Sequence, residues 1–358
     1  MFYREAGQFK ASYGADLAIF PIRQDLIAVL GILIFAFIVV PLTATPYILT
    51  GILIPFLILS LAAVGLNILT GYAGQLSLGT AAFMAVGAFA AFNFALRVPG
   101  IPILLAFAGG GVVSALVGVL FGLPSLRIRG FYLAVATLAA QFFILWFLTK
   151  VGWISNYNSS GVITAQQIVI LGYAFITPAS KYLLILSIVT VMALAAKNMA
   201  RSNVGRSWMA VRDMDVAAEV IGIPLMRAKL LAFAVSSFYC GVAGALFAYA
   251  YLGTVEPEAF SLDLSFRILF MVIIGGVGTV LGSFLGSGFV TLLPILLSVT
   301  VRFLDSNLGL HIAESSISNL ELMLFGGFII FFLIVEPHGL ARLWQIAKEK
   351  LRLWPFPH

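Results

Sequence analysis

Few side chains in this sequence are equipped for chemistry, and the richest group sits at residues 71–80, GYAGQLSLGT, between two apolar blocks. It holds Gly71, Gly74 and Gly79, the amide of Gln75 and the hydroxyls of Tyr72, Ser77 and Thr80, with no charge. Glycine inside a helix is about 0.8–1.0 kcal/mol worse than alanine, so three together favour a break. A break at membrane depth frees N–H and C=O groups and is tolerated only inside protein or against a watery cavity. Transporters place solute sites at such interruptions. Tyr72, Gln75, Ser77 and Thr80, with Gln141 from a later apolar block, are therefore candidates to line a translocation path. The competing reading is a close helix crossing, with glycine for packing and Gln75, Gln141 and Asn67 as interhelical hydrogen-bonding groups.

A second glycine-rich run, GGVGTVLGSFLG at 275–286, invites a phosphate-binding reading. A phosphate loop needs GxxxxGK[ST], and no lysine follows any of these glycines. Gly276, Gly278 and Gly282 miss the dinucleotide fingerprint by one residue and have no acidic ribose partner. Gly278, Gly282 and Gly286 instead recur every four residues, which predicts one smooth helix face for close packing. Catalytic groups are equally scarce. His311, His338 and His358 fall in loops or the tail, and no His/Cys cluster has metal-ligand spacing. The single cysteine, Cys240, lies in an apolar stretch and reads as a small hydrophobe. The chain is thus read as no enzyme, with no cofactor of its own.

The elements that must position these residues follow from composition. Of 358 residues, 62% are hydrophobic and 9% charged, far below the roughly 25% charged of soluble domains. The apolar residues come in long non-alternating runs, which excludes a β-barrel and indicates a polytopic all-α membrane protein. About ten spans are expected: 25–44, 47–69, 79–97, 102–123, 130–149, 181–199, 228–252, 266–277, 280–300 and 319–336. The segment 266–277 is short for a crossing and reads as a broken or re-entrant element.

Charge placement orients the bundle. Of 20 Lys and Arg, only Arg97, Lys150, Lys181, Arg267 and Arg302 fall outside when the N-terminus is cytoplasmic, and the even number of crossings returns the C-terminus there. The excess of basic residues is read as loop topology rather than nucleic-acid binding. Residues 1–24 form a cytoplasmic segment without an apolar signal core, 25–336 the membrane domain, and 337–358 a cytoplasmic tail. The spans contain almost no deep Asp, Glu, His or Arg, so no proton relay is visible and the driving energy is expected to come from outside the chain.

The longest cytoplasmic connection, 200–227, is densely charged. Residues 207–221 read as one short helix with Trp208, Val211, Val216 and Val220 along it and Asp213 capping its second half. Gly222 and Pro224 stop it. Asp213, Asp215 and Glu219 interrupt the basic residues, which favours docking into a partner's groove over adsorption to headgroups.

The order of blocks resembles the LivM-type permease subunits of bacterial ABC importers for branched-chain amino acids and related small solutes. LNILTGYAGQLSLGTAAFMAVGAF, RGFYLAVATLA, SNVGRSWMAVRDMDVAAEVIGIPLMRAKLLAFAVSSFYCGVAGAL, VIIGGVGTVLGSFLGSGFV and VEPHGLARL are similar to that family's motifs, in order, from about Leu53 to Leu340. The resemblance implies a type II importer permease in the inner membrane. Its partners would be a homologous LivH-type permease, two cytoplasmic LivG/LivF-type ATPases that bind ATP and Mg, and a periplasmic solute-binding protein. It also implies that Arg206, Arg212, Asp213, Ala217, Ala218, Glu219 and Gly222 belong to a coupling helix seated in an ATPase cleft. Two places depart from the family pattern: Thr80, where many members carry His, and Asn156–Gly161, NYNSSG. Amino acids, amides such as urea, and carboxylates all stay open as solutes. The alternatives are a stand-alone channel for a small neutral solute, and a membrane-embedded enzyme or assembly scaffold that the missing catalytic groups disfavour.

Overall fold

The computed structural model describes residues 23–126, 131–158, 161–170, 172–308, 314–336 and 338–353, some helix side chains excepted. Residues 1–22, with Arg4 and Lys10, and Arg127, Arg129, His311 and His358 lie outside this set.

Among the described residues, eight helices are long and apolar enough to cross a bilayer: α1 (Asp25–Thr43), α2 (Ile48–Tyr72), α3 (Thr80–Arg97), α4 (Ile103–Gly122), α5 (Tyr132–Lys150), α6 (Pro178–Arg201), α9 (Leu225–Leu252) and Val280–Val301, the first part of α11. Between α6 and α9 lie two short helices, α7 (Asn203–Asp213) and α8 (Asp215–Val220). The remaining elements are α10 (Leu262–Gly275), α11 (Val280–Leu308), α12 (Glu314–Val335) and α13 (Gly339–Leu353). At 1.5 Å per residue, the 14 residues of α10 reach about 21 Å against a hydrocarbon core of about 30 Å. The tail beyond residue 337 carries a helix, α13, that its composition alone did not announce.

Small residues set the core. Gly87, Gly110 and Gly241 stand where α3, α4 and α9 touch backbone to backbone, and a methyl group on Gly244 would strike the Met84 carbonyl. Ala81, Ala85, Ala88, Ala106, Ala243 and Ala245 are fully buried around them. In lipid no hydrophobic force pulls helices together, so close approach through small residues supplies the packing. α2 runs through the middle of this set while α1 lies at the periphery with no buried share. Helix ends carry local signals: Thr177 Oγ1 accepts from Ser180 N at 3.3 Å ahead of Pro178 in α6, and Gly253 ends α9 in the left-handed region.

Two-stranded pieces close one face. β1 (Ile163–Thr164) pairs antiparallel with β4 (Thr254–Val255), and β2 (Val169–Ile170) with β3 (Tyr173–Ala174). The other face gathers both described ends of the chain, where Lys348 Nζ of α13 reaches the Asp25 carboxylate of α1 at 2.5 Å.

Candidate functional site

The segment from α2 to α3 breaks helical geometry as its glycines suggest. α2 ends in widened turns, with Ala73 N bonded to Ile68 O at 3.2 Å and Gln75 N to Leu69 O at 3.0 Å. The backbone then turns at Gly74, where φ is +68°, and runs without helix to Thr80. α3 begins well inside the bundle rather than at its surface. Ala82 N donates to Gln141 Oε1 at 2.7 Å, and Gln141 lies midway along α5.

A second helix start meets it there. Gln141 Nε2 donates to Phe260 O at 2.8 Å, just ahead of α10, and Ser265 Oγ of α10 accepts from Ala81 N at 2.9 Å. Thr137 Oγ1 accepts from Leu78 N at 2.9 Å. The starts of α3 and of the shorter α10 therefore converge inside the bundle, and side chains of α5 and α10 take up the leading N–H groups of α3. This concentrates positive helix-end potential inside the membrane.

The sequence candidates separate by what they bond. Gln141 is fully buried with both ends of its amide bonded to protein. Ser77 Oγ accepts from Gly79 N at 3.3 Å. Gln75 and Thr80 are buried as well, yet both amide atoms of Gln75 and the hydroxyl of Thr80 have no hydrogen-bond partner among the described residues. A buried polar group left unpaired costs about 1–3 kcal/mol, so among the sequence candidates these two have something left to bind. The Tyr72 phenol is buried, with the Val280 backbone and the Arg212 guanidinium near it.

Asn67, weighed only as an interhelical residue, forms a clamp. Its Nδ2 donates to Thr279 O at 2.8 Å and to Ser283 Oγ at 2.9 Å, and its Oδ1 accepts from Gly278 N at 2.8 Å. The clamp ties the end of α2 to the turn between α10 and α11. Gly278 belongs to that turn, with φ +82°, and not to the helix face expected from its four-residue spacing. Gly282 and Gly286 do sit on α11 against α10, where each faces the backbone of Gly275.

The charged connection is two helices rather than one rod. Met214, extended at φ −159° and ψ 98°, separates α7 from α8. Asp213 is the last residue of α7, and the start of α8 has no side-chain cap. Asp213 instead accepts from Arg212 Nε at 2.8 Å. The break divides the apolar stripe. Trp208 and Val211 turn inward, with Trp208 Nε1 donating to Ala228 O at 3.0 Å. Met214, Val216, Val220 and Ile221 turn outward and are 61–82% exposed. Ala217, Glu219 and Gly222 are exposed beside them, and Ala218 is buried. Arg206 is exposed and bonded to Asn203 Oδ1.

Arg212 links the two regions. Its Nη1 donates to Gly71 O at 2.8 Å, and a methyl group on Gly74 would lie 2.7 Å from its Cγ. No sequence signal marks this contact, since it joins a loop arginine to a backbone carbonyl 141 positions earlier.

Comparison with known proteins agrees with this architecture. The family described as branched-chain amino acid transport system, permease component, matches residues 48–333. The high-affinity branched-chain amino acid permease LivM of Salmonella typhimurium is 29% identical over 81% of this chain and 68% of its own length, and that of Escherichia coli 28% over the same shares. The autoinducer 2 import permease LsrC of an Enterobacter species is 28% identical over 59% of this chain and 60% of its own. No solved structure matches the chain.

Proposed function

Because the chain belongs to the family of branched-chain amino acid transport permease components, we propose that its break at residues 71–80 is the solute route and that α7 and α8 move that route on command from partner ATPases. The chain is a permease subunit of an ABC importer and a multi-pass protein of the inner membrane. The solute is a small polar one, with branched-chain amino acids first to test because relatives carry that description.

Gln75 and Thr80 face the solute, with Tyr72 and Ser77 beside them. Gln141 stands behind, holding the converging starts of α3 and α10. Helix N-termini favour a carboxylate, and the unpaired amide of Gln75 supplies both a donor and an acceptor. Binding here is weak by design, since selection belongs to a solute-binding protein and a transported molecule must leave as readily as it enters.

On the other side, the exposed apolar residues of α8 seat in an ATPase groove, with Glu219 and Arg206 at its polar edge. The termini and α7–α8 then face the cytoplasm, and ATP and Mg sit in two LivG/LivF-type partners. A LivH-type permease completes the pore. The observation that carries the reading is the bond from Arg212 to Gly71 O. It gives motion of α7 a direct path to the segment that holds the unpaired polar groups.

The test is reconstitution with the partner subunits and binding protein in proteoliposomes. ATP-dependent uptake of labelled leucine or a competing small amino acid, amide or carboxylate is the expected result. Downhill flux through the chain alone, unaffected by ATPases, would overturn it.

A further inference from the structure

Away from the solute route, α3, α4 and α5 enclose a groove of about 550 Å³, within the roughly 300–1,000 Å³ of small-molecule sites. Its walls are apolar, with Phe89, Phe94, Val117 and Phe147 among them. Along α3 it runs from Val86 to Arg97, about 17 Å at 1.5 Å per residue. Asn93, Arg97 and Trp153 are the residues along it with polar side-chain atoms.

These polar groups sit at one end. Arg97 is the last residue of α3, and Trp153 follows the end of α5, so the mouth lies at the bundle end opposite Arg212. The guanidinium carbon stands 3.7 Å over the Trp153 ring, and Nη2 donates to Trp153 O. Stacking on the ring and that one bond fix the arginine in place while leaving donors of its five for another acceptor. Trp and Arg at a span's end mark the headgroup level of a bilayer. One turn deeper, the buried Asn93 donates its Nδ2 to Phe89 O and Ile154 O, while its Oδ1 has no donor among the described residues.

We propose that this groove is a specific site for one acyl chain of an anionic glycerophospholipid, with the headgroup phosphate on Arg97. An apolar groove about 17 Å long, at 1.5 Å per residue from Val86 to Arg97, suits a single hydrocarbon chain. A fixed cation at its mouth selects negative headgroups, and a headgroup hydroxyl or its water supplies the donor that Asn93 Oδ1 lacks. The site lies apart from the solute route, so it is a lipid dependence of the transporter and not a second pathway.

The assembled transporter, purified in detergent and exposed to equal amounts of phosphatidylglycerol and phosphatidylcholine, is examined by native mass spectrometry. One retained phosphatidylglycerol per copy of this chain is expected. Arg97→Gln should lower the preference over phosphatidylcholine on the order of ten-fold, the worth of a charge-assisted hydrogen bond, while Arg97→Lys keeps most of it. Val117→Trp, which fills the groove, should remove retention of both lipids. If that variant does not assemble, the Arg97 pair still decides the matter. Equal retention of the two lipids by the parent protein, or an unchanged preference in Arg97→Gln, overturns the proposal. So does a photocrosslinker at Phe147 that captures the partner permease instead of lipid.

Discussion

Replacing Arg212 by alanine removes the hydrogen bond from its Nη1 to Gly71 O, the contact that joins α7 to the broken end of α2. A hydrogen bond from a charged donor is worth about 1.5–3 kcal/mol. The Arg212 side chain is 37% exposed, so solvent competition lowers this toward about 1 kcal/mol. With ten-fold per 1.4 kcal/mol, coupling should fall about five-fold. The companion ion pair contributes little, because Asp213 is 66% exposed. The assay is the ratio of solute molecules transported to ATP hydrolysed by the assembled complex in proteoliposomes. Arg212→Ala should lower that ratio about five-fold with the complex intact, and Asp213→Asn should leave it near the parent value. Gly74→Ala attacks the same contact from the other side, through its left-handed φ of +68° and a methyl group 2.7 Å from Arg212 Cγ, and should reproduce the loss. An unchanged ratio in Arg212→Ala, or an equal loss in Asp213→Asn, would refute a role for the Gly71 bond and leave only surface charge.

Other outcomes follow from the same geometry. Gln75→Leu removes no bond to a described residue, so thermal stability in detergent should hold while uptake falls. Gln141→Leu strips Ala82 N and Phe260 O of their partners and should cost about 1–3 kcal/mol for each group left unpaired, visible as a lower melting temperature. Asn67→Leu orphans Gly278 N, while Thr279 O keeps its bond from Ser283 N, and should destabilise by about 1–3 kcal/mol; unaltered melting would remove the clamp from the account. Gly244→Ala drives a methyl group into the Met84 carbonyl, at or beyond the upper end of about 1–3 kcal/mol for overpacking, so little folded protein should reach the membrane by detergent-resistant gel analysis. Reversing the charge of Glu219, exposed beside the apolar residues of α8, should uncouple ATP hydrolysis from transport without loss of assembly; normal stimulated ATPase activity and uptake would exclude it from the docking surface.

Much of this protein is written locally in its sequence. Long non-alternating apolar runs admit only helices in lipid, and the shortness of α10 is a matter of counting residues against bilayer thickness. The break at 71–80 also declares itself, because glycine and polar side chains act on the few residues around them. The tertiary structure decided what each polar group is for. Gln141 and Gln75 are the same residue type in apolar surroundings, yet one bonds Phe260 O from 119 positions away and the other is left unpaired. Gly278 keeps the four-residue spacing of a packing stripe, but the Asn67 clamp and a positive φ make it part of a turn. Residues 207–221 have the periodicity of one amphipathic helix, and the extended backbone at Met214 turns Trp208 into an inward anchor and Val220 into an outward contact. Periodicity and propensity report energies within a turn or two of the chain. Which partner a buried amide, a glycine or an arginine finds depends on helices brought together across more than a hundred residues, as Arg212 at the Gly71 carbonyl, 141 positions away, illustrates.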